Sequence, residues 1–152
     1  DINKEDDNNE TVLFKACWNG NIDLVKYLVE NGADINKENT YGDTPLFNTC
    51  LNGDQNLAKY LVENGGDINK PNEDGDTPLF YAFQSENFNL IKYLIENGGD
   101  INKRNDSGDT PLIFAYLSNN ERIINYVNKL KKGKKMKKET SVLKKMKNMF
   151  KF

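Results

Sequence analysis

Few residues in this chain could do chemistry, and their spacing is regular. Cys17 and Cys50 stand 33 positions apart, and the 152 residues include no histidine. A Ser-His or Cys-His nucleophilic couple is therefore impossible, and two thiols without histidine argue against a structural zinc site. The aspartates recur at fixed intervals instead of in close pairs, and no GxxxxGK[ST] or GxGxxG phosphate-binding motif occurs. We predict a non-enzymatic protein without cofactor or metal.

The regular spacing belongs to an internal repeat of 33 residues. "DINK" begins at residues 1, 34, 67 and 100, "GDTPL" at 42, 75 and 108, and "KYLVENG" at 26 and 59 returns as "KYLIENG" at 92. Each Thr-Pro pair predicts a helix start, because a threonine hydroxyl can cap a helix and proline is tolerated at the first helical position. A second, amphipathic helix follows and ends at Gly32, Gly65 or Gly98, where glycine can adopt the left-handed conformation.

Polar stretches such as residues 69–76 separate the helix pairs and predict tight, hairpin-like projecting loops. Two short helices cannot bury an apolar stripe alone, so the copies must stack side by side. Cys17 and Cys50 then fall on stacked helices about 8 to 10 Å apart, whereas a disulfide needs Cα atoms about 5.5 to 6 Å apart. We therefore expect two buried free thiols in a reducing compartment.

The 33-residue period and the "TPLF" strings, each followed two positions on by a small residue, resemble the ankyrin repeat family over residues 1 to about 130. The resemblance implies an all-α fold: an ankyrin-type α-solenoid of stacked helix-turn-helix repeats with β-hairpin-like finger loops. The copies would span about residues 6–38, 39–71, 72–104 and 105–132, as a fragment of a longer array.

The copies depart from the family pattern at two places. The family's histidine is absent, and with it the hydrogen bonds to neighbouring turns, so a buried aromatic ring must compensate. The residues that replace it are Phe14, Phe47, Phe80 and Ile113. The glycine between paired helices, Gly20 or Gly53 in the first two copies, becomes Glu86 and Asn119, so we expect looser bends there.

The resemblance implies a non-catalytic protein–protein interaction scaffold. Such arrays bind partners through the tips of the finger loops and the first helix of each pair. By register, the tip positions are Thr40, Tyr41, Asp43, Glu73, Asp74, Asp76, Asp106, Ser107 and Asp109. The positions on or beside the first helices are Trp18, Asn19, Leu51, Asn52, Tyr81, Gln84, Ser85, Phe114, Leu117 and Ser118.

The character of these positions predicts the kind of partner. Aromatic and apolar side chains are frequent hot spots, and the carboxylates should attract a basic protein and repel nucleic acid. Residues 1–128 hold 10 Lys and Arg against 22 Asp and Glu, a net charge of −12. Asp43, Asp76 and Asp109 have a second interpretation as scaffold residues, because an acid beside a helix start favours the helix dipole. Positions that differ between copies favour partner recognition.

Residues 131–152 form a basic, partly amphipathic tail. Lysines replace the expected glycines at 131 and 132, so the last helix should continue toward Gly133, and a basic amphipathic helix should start near Glu139 or Thr140. The tail residues singled out are Leu143, Lys144, Lys145, Met146, Lys147, Met149 and Phe150. Four interpretations stay open: a cap on the last copy or the acidic body, attachment to an anionic membrane or a calmodulin-like groove, a nuclear import or nucleic-acid patch, and disorder.

The sequence also bears on location. It contains no run of 18 apolar residues and no signal peptide, although signals preceding Asp1 would not be seen. We expect an intracellular protein, in the cytoplasm or alternatively the nucleus. We further expect a monomer that could reach a membrane only through its tail.

Overall fold

The computed structural model describes the backbone over residues 1–149, and the side chains over residues 1–135 and at Lys137. In this part of the chain, eight α-helices form four consecutive pairs and no strand occurs. The helices are α1 (Val12–Trp18), α2 (Ile22–Glu30), α3 (Pro45–Leu51), α4 (Gln55–Glu63), α5 (Pro78–Ser85), α6 (Phe88–Glu96), α7 (Leu112–Leu117) and α8 (Glu121–Met149). The predicted all-α solenoid of stacked helix pairs is confirmed.

The first helices begin where the Thr-Pro pairs predict. Pro45 and Pro78 occupy the first turn of α3 and α5. The predicted threonine caps are wrong, because Thr44 and Thr77 make no side-chain capping hydrogen bond. Both threonines are completely buried in the stack, and their Oγ1 atoms have no hydrogen-bond partner among the described residues.

The second helices have capped starts and glycine ends. At each start, a side-chain oxygen accepts a hydrogen bond of 3.0 to 3.1 Å from the backbone N–H three residues on. The capping residues are Asn21, Asp54 and Asn87. Beyond the ends of α2, α4 and α6, Gly32, Gly65 and Gly98 have φ of +91°, +97° and +100°, so the predicted left-handed stops are confirmed.

The core lies between paired helices and between neighbouring copies. Leu57 and Leu90, at matching positions of the second and third copies, are completely buried. The rings that replace the family's histidine are at most 1% exposed in the first three copies, but Ile113 in the fourth is 37% exposed. The predicted burial is therefore wrong for Ile113, because no further described copy covers it.

The two rows of helices are packed unequally. The first helices α1, α3, α5 and α7 contact one another more extensively than the second helices do. The exposed surface of the loop tips and of the ends of the first helices is called the inner face below. It comprises residues 40–43, 73–76 and 106–109 at the tips, and 18–19, 51–52, 84–85 and 117–118 at the helix ends.

The bend between paired helices has the same shape in all four copies. Gly20 and Gly53 have φ of +67° and +70°, and Glu86 and Asn119 adopt φ of +56° and +54° at the same positions. The expectation of looser bends is wrong, since the left-handed conformation is kept. A residue other than glycine there costs roughly 1 to 2 kcal/mol.

Cys17 and Cys50 are free and buried, as predicted. Burial raises the pKa of the Cys17 thiol to about 12 and also raises the pKa of Cys50. Both thiols are therefore protonated near neutral pH and act as small apolar side chains in the core.

Helix α8 continues from the last copy into the tail without a break. It reaches Gly133 as predicted and continues past it, so the predicted separate helix start near Glu139 or Thr140 is wrong, because one helix spans residues 121–149. The residues after 130 lengthen it by roughly 28 Å at 1.5 Å each. Of the predicted tail residues, those from 143 to 149 lie in α8 and Phe150 lies outside the described residues. Across residues 1–149, no helix is long and apolar enough to cross a lipid bilayer.

Candidate partner-binding face

The last three finger loops are each closed by the side chain of an asparagine, and the first is closed in the same way by Asp6. The Oδ1 atom of Asn39 accepts hydrogen bonds from the backbone N–H groups of Tyr41 at 2.9 Å and Asp43 at 3.0 Å. Asn72 and Asn105 make the equivalent bonds in the next two loops. A backbone bond from the N–H of Asn39 to the carbonyl of Asp43, at 2.9 Å, completes the predicted hairpin-like shape.

Neighbouring loop tips are joined by backbone hydrogen bonds. The N–H of Glu73 donates to the carbonyl of Tyr41 at 3.0 Å, and the N–H of Asp106 donates to the carbonyl of Asp74 at 2.9 Å. The N–H of Thr40 makes the same bond to the first loop. The structure thus brings the predicted tips side by side, with the following predicted residues exposed: Thr40, Tyr41, Glu73, Asp74, Asp106 and Ser107.

Three predicted acids differ from the other tip residues. Asp43, Asp76 and Asp109 are half-buried. The carboxylates of Asp43 and Asp76 each accept a hydrogen bond of 2.8 Å from the next copy, donated by Asn72 and Asn105 respectively. Desolvation raises the pKa of Asp43 and of Asp76 above the ordinary carboxyl value. These contacts favour the scaffold interpretation and leave the exposed acids of the tips as the accessible charges.

The ends of the first helices add apolar surface to the inner face. Trp18 is 55% exposed and Leu117 is 67% exposed, and Leu51 is also exposed. Tyr41 on the second loop tip is 67% exposed. Large side chains of this kind supply most of the binding energy in protein interfaces.

Two hollows open beside the first helices. The first hollow, about 420 Å³, is lined by Glu10, Phe14, Lys15, Trp18, Asn19 and Asn48. The second hollow, about 230 Å³, is lined by Phe83, Gln84, Glu86, Phe114, Leu117 and Ser118. In the first hollow, Lys15 forms an ion pair of 2.6 Å with Asp6, and its hydrogen bond lowers the pKa of the Asp6 carboxyl. Both hollows are lined by one glutamate, but only the first also has a lysine among the described residues that line it.

Two predicted aromatic residues pack within the frame. The ring of Tyr81 lies edge-on against Phe47, with centroids 5.2 Å apart, and its hydroxyl accepts a 3.4 Å hydrogen bond from Asn72. Burial raises the pKa of Tyr81 to about 12. The ring of Phe114 lies edge-on against Phe80 at 6.2 Å. Both predicted residues are half-buried, and Tyr81 contributes more to packing than to the accessible surface.

Several predicted polar residues near the helix ends are engaged in hydrogen bonds. The side chain of Asn52 donates to the carbonyl of Trp18 at 2.8 Å, which links two copies. The hydroxyls of Ser85 and Ser118 donate to backbone carbonyls three residues earlier, at 2.7 and 2.9 Å. Asn19 is exposed and directly follows α1. These residues border the inner face, but the two serines are committed to their own helices.

The asparagine of the first three "DINK" strings makes a contact that the sequence reasoning missed. The side-chain amide of Asn36 donates to the carbonyl of Gly65 at 2.9 Å, and its Oδ1 accepts from the N–H of Asp67 at 2.8 Å. Asn3 and Asn69 make the same two bonds to the copies that follow them. The fixed place of this asparagine in the repeat was the available signal for a tie between copies.

The beginning of the tail packs on the last copy. The Nζ atom of Lys131 donates to the hydroxyl of Tyr116 at 2.9 Å and lies 5.1 Å from the centre of its ring. That hydroxyl in turn donates to the side chain of Asn128 at 3.1 Å. Lys131 thus covers part of α7, where a further copy would otherwise stack.

The geometry defines a class of protein: a stacked helical repeat scaffold with variable residues on one face. In the part of the chain that the structure describes, no group of three or more His, Cys, Asp or Glu side chains is placed to hold a metal. The family model for ankyrin repeats (3 copies) matches residues 1–72 and 49–139, and the chain belongs to the ankyrin repeat family. Such proteins generally mediate protein–protein interactions and are generally non-catalytic. No curated protein matches the chain significantly.

Proposed function

We propose that the chain is a non-catalytic scaffold that binds a basic partner protein through its inner face. One contrast within each copy carries the proposal. Several residues that repeat are committed to the frame by hydrogen bonds between copies, as Asn36 and Asp76 are. Residues that differ between copies, such as Trp18, Gln84 and Leu117, lie exposed on the inner face. Variable, exposed residues displayed at the same place in successive copies are typical of partner recognition on a repeated frame.

The charge of the inner face supports a basic partner. Glu73, Asp74 and Asp106 are exposed at the tips, and their copies are tied together by backbone bonds. A row of carboxylates accelerates encounter with a positively charged protein and disfavours the phosphate backbone of nucleic acids. The exposed apolar residues beside these acids would then supply most of the affinity.

The test compares two triple variants of the intact chain. The first changes the inner face by Leu51→Ala, Asp74→Lys and Asp106→Lys. The second makes matched changes on α2 by Leu24→Ala, Asp23→Lys and Glu30→Lys. Leu24 and Leu51 are each 36% exposed, so the two leucine truncations are matched for burial.

The inner-face variant should capture the basic partner from native cell extract at least roughly tenfold less than wild type, because it loses an anchor and reverses two charges. The α2 variant should capture it as wild type does, and both variants should keep their helical circular-dichroism spectrum. Undiminished capture by a folded inner-face variant would contradict the proposal.

A second candidate function is attachment to an anionic membrane or a calmodulin-like groove through the tail. The continuous helix α8, which carries the lysine-rich segment beyond the last copy, favours this candidate. Phosphatidylserine vesicles should sediment the wild-type chain, and Lys144→Gln, Lys145→Gln and Lys147→Gln together should weaken that sedimentation. Equal sedimentation of both chains, or equal binding to uncharged vesicles, would count against it.

A further inference from the structure

The second hollow has a glutamate in an unfavourable backbone position. Glu86 directly follows α5 with φ of +56°, where the first two copies have Gly20 and Gly53. Asn119 occupies the same position in the fourth copy, but asparagine tolerates the left-handed conformation better than glutamate does. The third copy therefore keeps a carboxylate here at a cost in stability.

The carboxylate of Glu86 is exposed, and no described residue forms an ion pair or hydrogen bond with it. It borders a hollow of about 230 Å³ whose apolar walls come from Phe83, Phe114 and Leu117. Among the described side chains, no lysine or arginine lines this hollow. A site with apolar walls and one unpaired carboxylate suits a cation carried on an apolar stem.

Arginine fits this chemistry better than lysine. Its planar guanidinium can stack on an aromatic ring while it donates two hydrogen bonds to a carboxylate, whereas the lysine ammonium acts as a point charge. The half-buried ring of Phe114 and the carboxylate of Glu86 line the same hollow. The first hollow provides the contrast, because it contains Lys15.

We infer that the second hollow binds an arginine side chain of the partner protein, with Glu86 pairing with the guanidinium and Phe114 stacking against it. The inference rests on the proposed function, because it assigns one subsite of the inner face. It predicts that the partner's basic surface presents an arginine whose replacement by lysine weakens binding.

A defined peptide tests this subsite without knowledge of the partner. The probe is acetyl-Gly-Ser-Arg-Ser-Gly-amide, and its control has citrulline, which keeps the shape of arginine without the charge. In ¹⁵N NMR of the intact chain, the arginine peptide should shift the backbone amides of Gln84, Leu117 and Ser118 in a saturable way. The citrulline peptide should bind about two- to fivefold more weakly, as expected for loss of one exposed ion pair.

Two substitutions separate recognition from structure. Glu86→Gln keeps the strained backbone and removes the charge, and Glu86→Gly restores the residue of the first two copies. Both should weaken arginine-peptide binding, but only Glu86→Gly should also raise the melting temperature. Asn119→Gly, the matched control, should raise the melting temperature without weakening the binding of the arginine peptide.

The outcomes are distinguishable from failure of the proposed function. Equal binding of the two peptides, or unchanged binding by both Glu86 variants, overturns the inference. Shifts confined to the tips near Asp74 and Asp106 also overturn it while supporting the inner face. If no amide of the inner face responds, the inference falls, and capture by the two triple variants decides the proposed function separately.

Discussion

The internal copies of the array and its two ends differ in burial at equivalent positions. Leu57 and Leu90 are completely buried, whereas Leu24 in the first copy is 36% exposed. At the other end, Phe80 is completely buried and its counterpart Ile113 is 37% exposed. The difference shows that a copy does not bury its own apolar face, because the neighbouring copy does so. Stability is therefore shared between copies, as in other solenoids.

Hydrogen bonding shows the same contrast. Asn3, Asn36 and Asn69 each tie their copy to the next one through two bonds. Asn102 has the same place in the fourth copy, but the chain there continues as helix α8 and offers no matching loop. An identical residue is thus a structural tie inside the array and only a surface residue at its end.

Truncation of equivalent leucines should give the largest effect. We expect Leu90→Ala to lower the free energy of unfolding by about 2 to 5 kcal/mol, because it leaves a cavity between copies. Leu24→Ala should cost about 1 kcal/mol or less, because solvent already reaches that side chain. Urea denaturation measures both. Equal losses would contradict the view that neighbours provide the burial.

Removal of the asparagine tie should give the next largest effect. Asn69→Ala loses bonds to the carbonyl of Gly98 at 2.9 Å and the N–H of Asp100 at 3.0 Å. These bonds are exposed, so we expect a loss of about 1 kcal/mol. Asn102→Ala should leave the unfolding midpoint nearly unchanged. A larger loss for Asn102→Ala than for Asn69→Ala would refute the assigned role.

Substitution of a buried threonine should not lower the free energy of unfolding, in contrast to the leucine and asparagine substitutions. Thr77→Val removes a buried hydroxyl that has no partner, so we expect stability to be unchanged or to rise by up to about 1 kcal/mol. A capping threonine would instead lose about 1 kcal/mol on substitution. Thermal unfolding distinguishes these signs. Thr110→Val in the last copy, where the threonine is only half-buried, is the control and should show a smaller gain.

The smallest predicted effect is a dependence on pH. Burial raises the pKa of Asp76 above its reference value of 3.8, so the folded state binds this proton more readily than the unfolded state. The stability that protonated Asp76 contributes is fully present below its pKa in the unfolded state and is lost as the pH rises through its pKa in the folded state. The melting temperature of Asp76→Asn minus that of wild type should therefore increase as the pH rises from about 4 to 7. A difference in melting temperature between Asp76→Asn and wild type that stays constant over this pH range would refute the assignment.

The frame could be predicted from sequence because each copy repeats its own local signals. The left-handed stops at Gly32, Gly65 and Gly98 depend only on residues within one copy. The orientation of the Thr77 hydroxyl could not be predicted in this way, since it depends on the packing of neighbouring copies. The continuity of α8 past residue 139 was missed because Gly133 was interpreted as the end of the helix. The lysine-rich stretch after Gly133 contains no helix-stopping residue, and the helix continues through it.

The positions of the candidate site could be predicted from sequence. Which of their side chains already form hydrogen bonds within the frame could not. Asp43 and Asp76 had two interpretations from sequence, partner binding or scaffold, and their bonds to Asn72 and Asn105 favour the scaffold one. Glu86 was noticed only as a lost glycine. The hollow beside Glu86 is lined by residues of two different copies, so the sequence of one copy alone does not reveal it.

A hydrogen-exchange footprint of the intact chain, with and without its captured partner, most directly tests the claim that the inner face binds. We predict slower exchange in residues 40–52, 73–85 and 106–118, which hold the tips and first helices, and unchanged exchange in α2, α4 and α6. Slower exchange in the second helices or in α8 beyond residue 131, with the tips and first helices unchanged, would contradict the account.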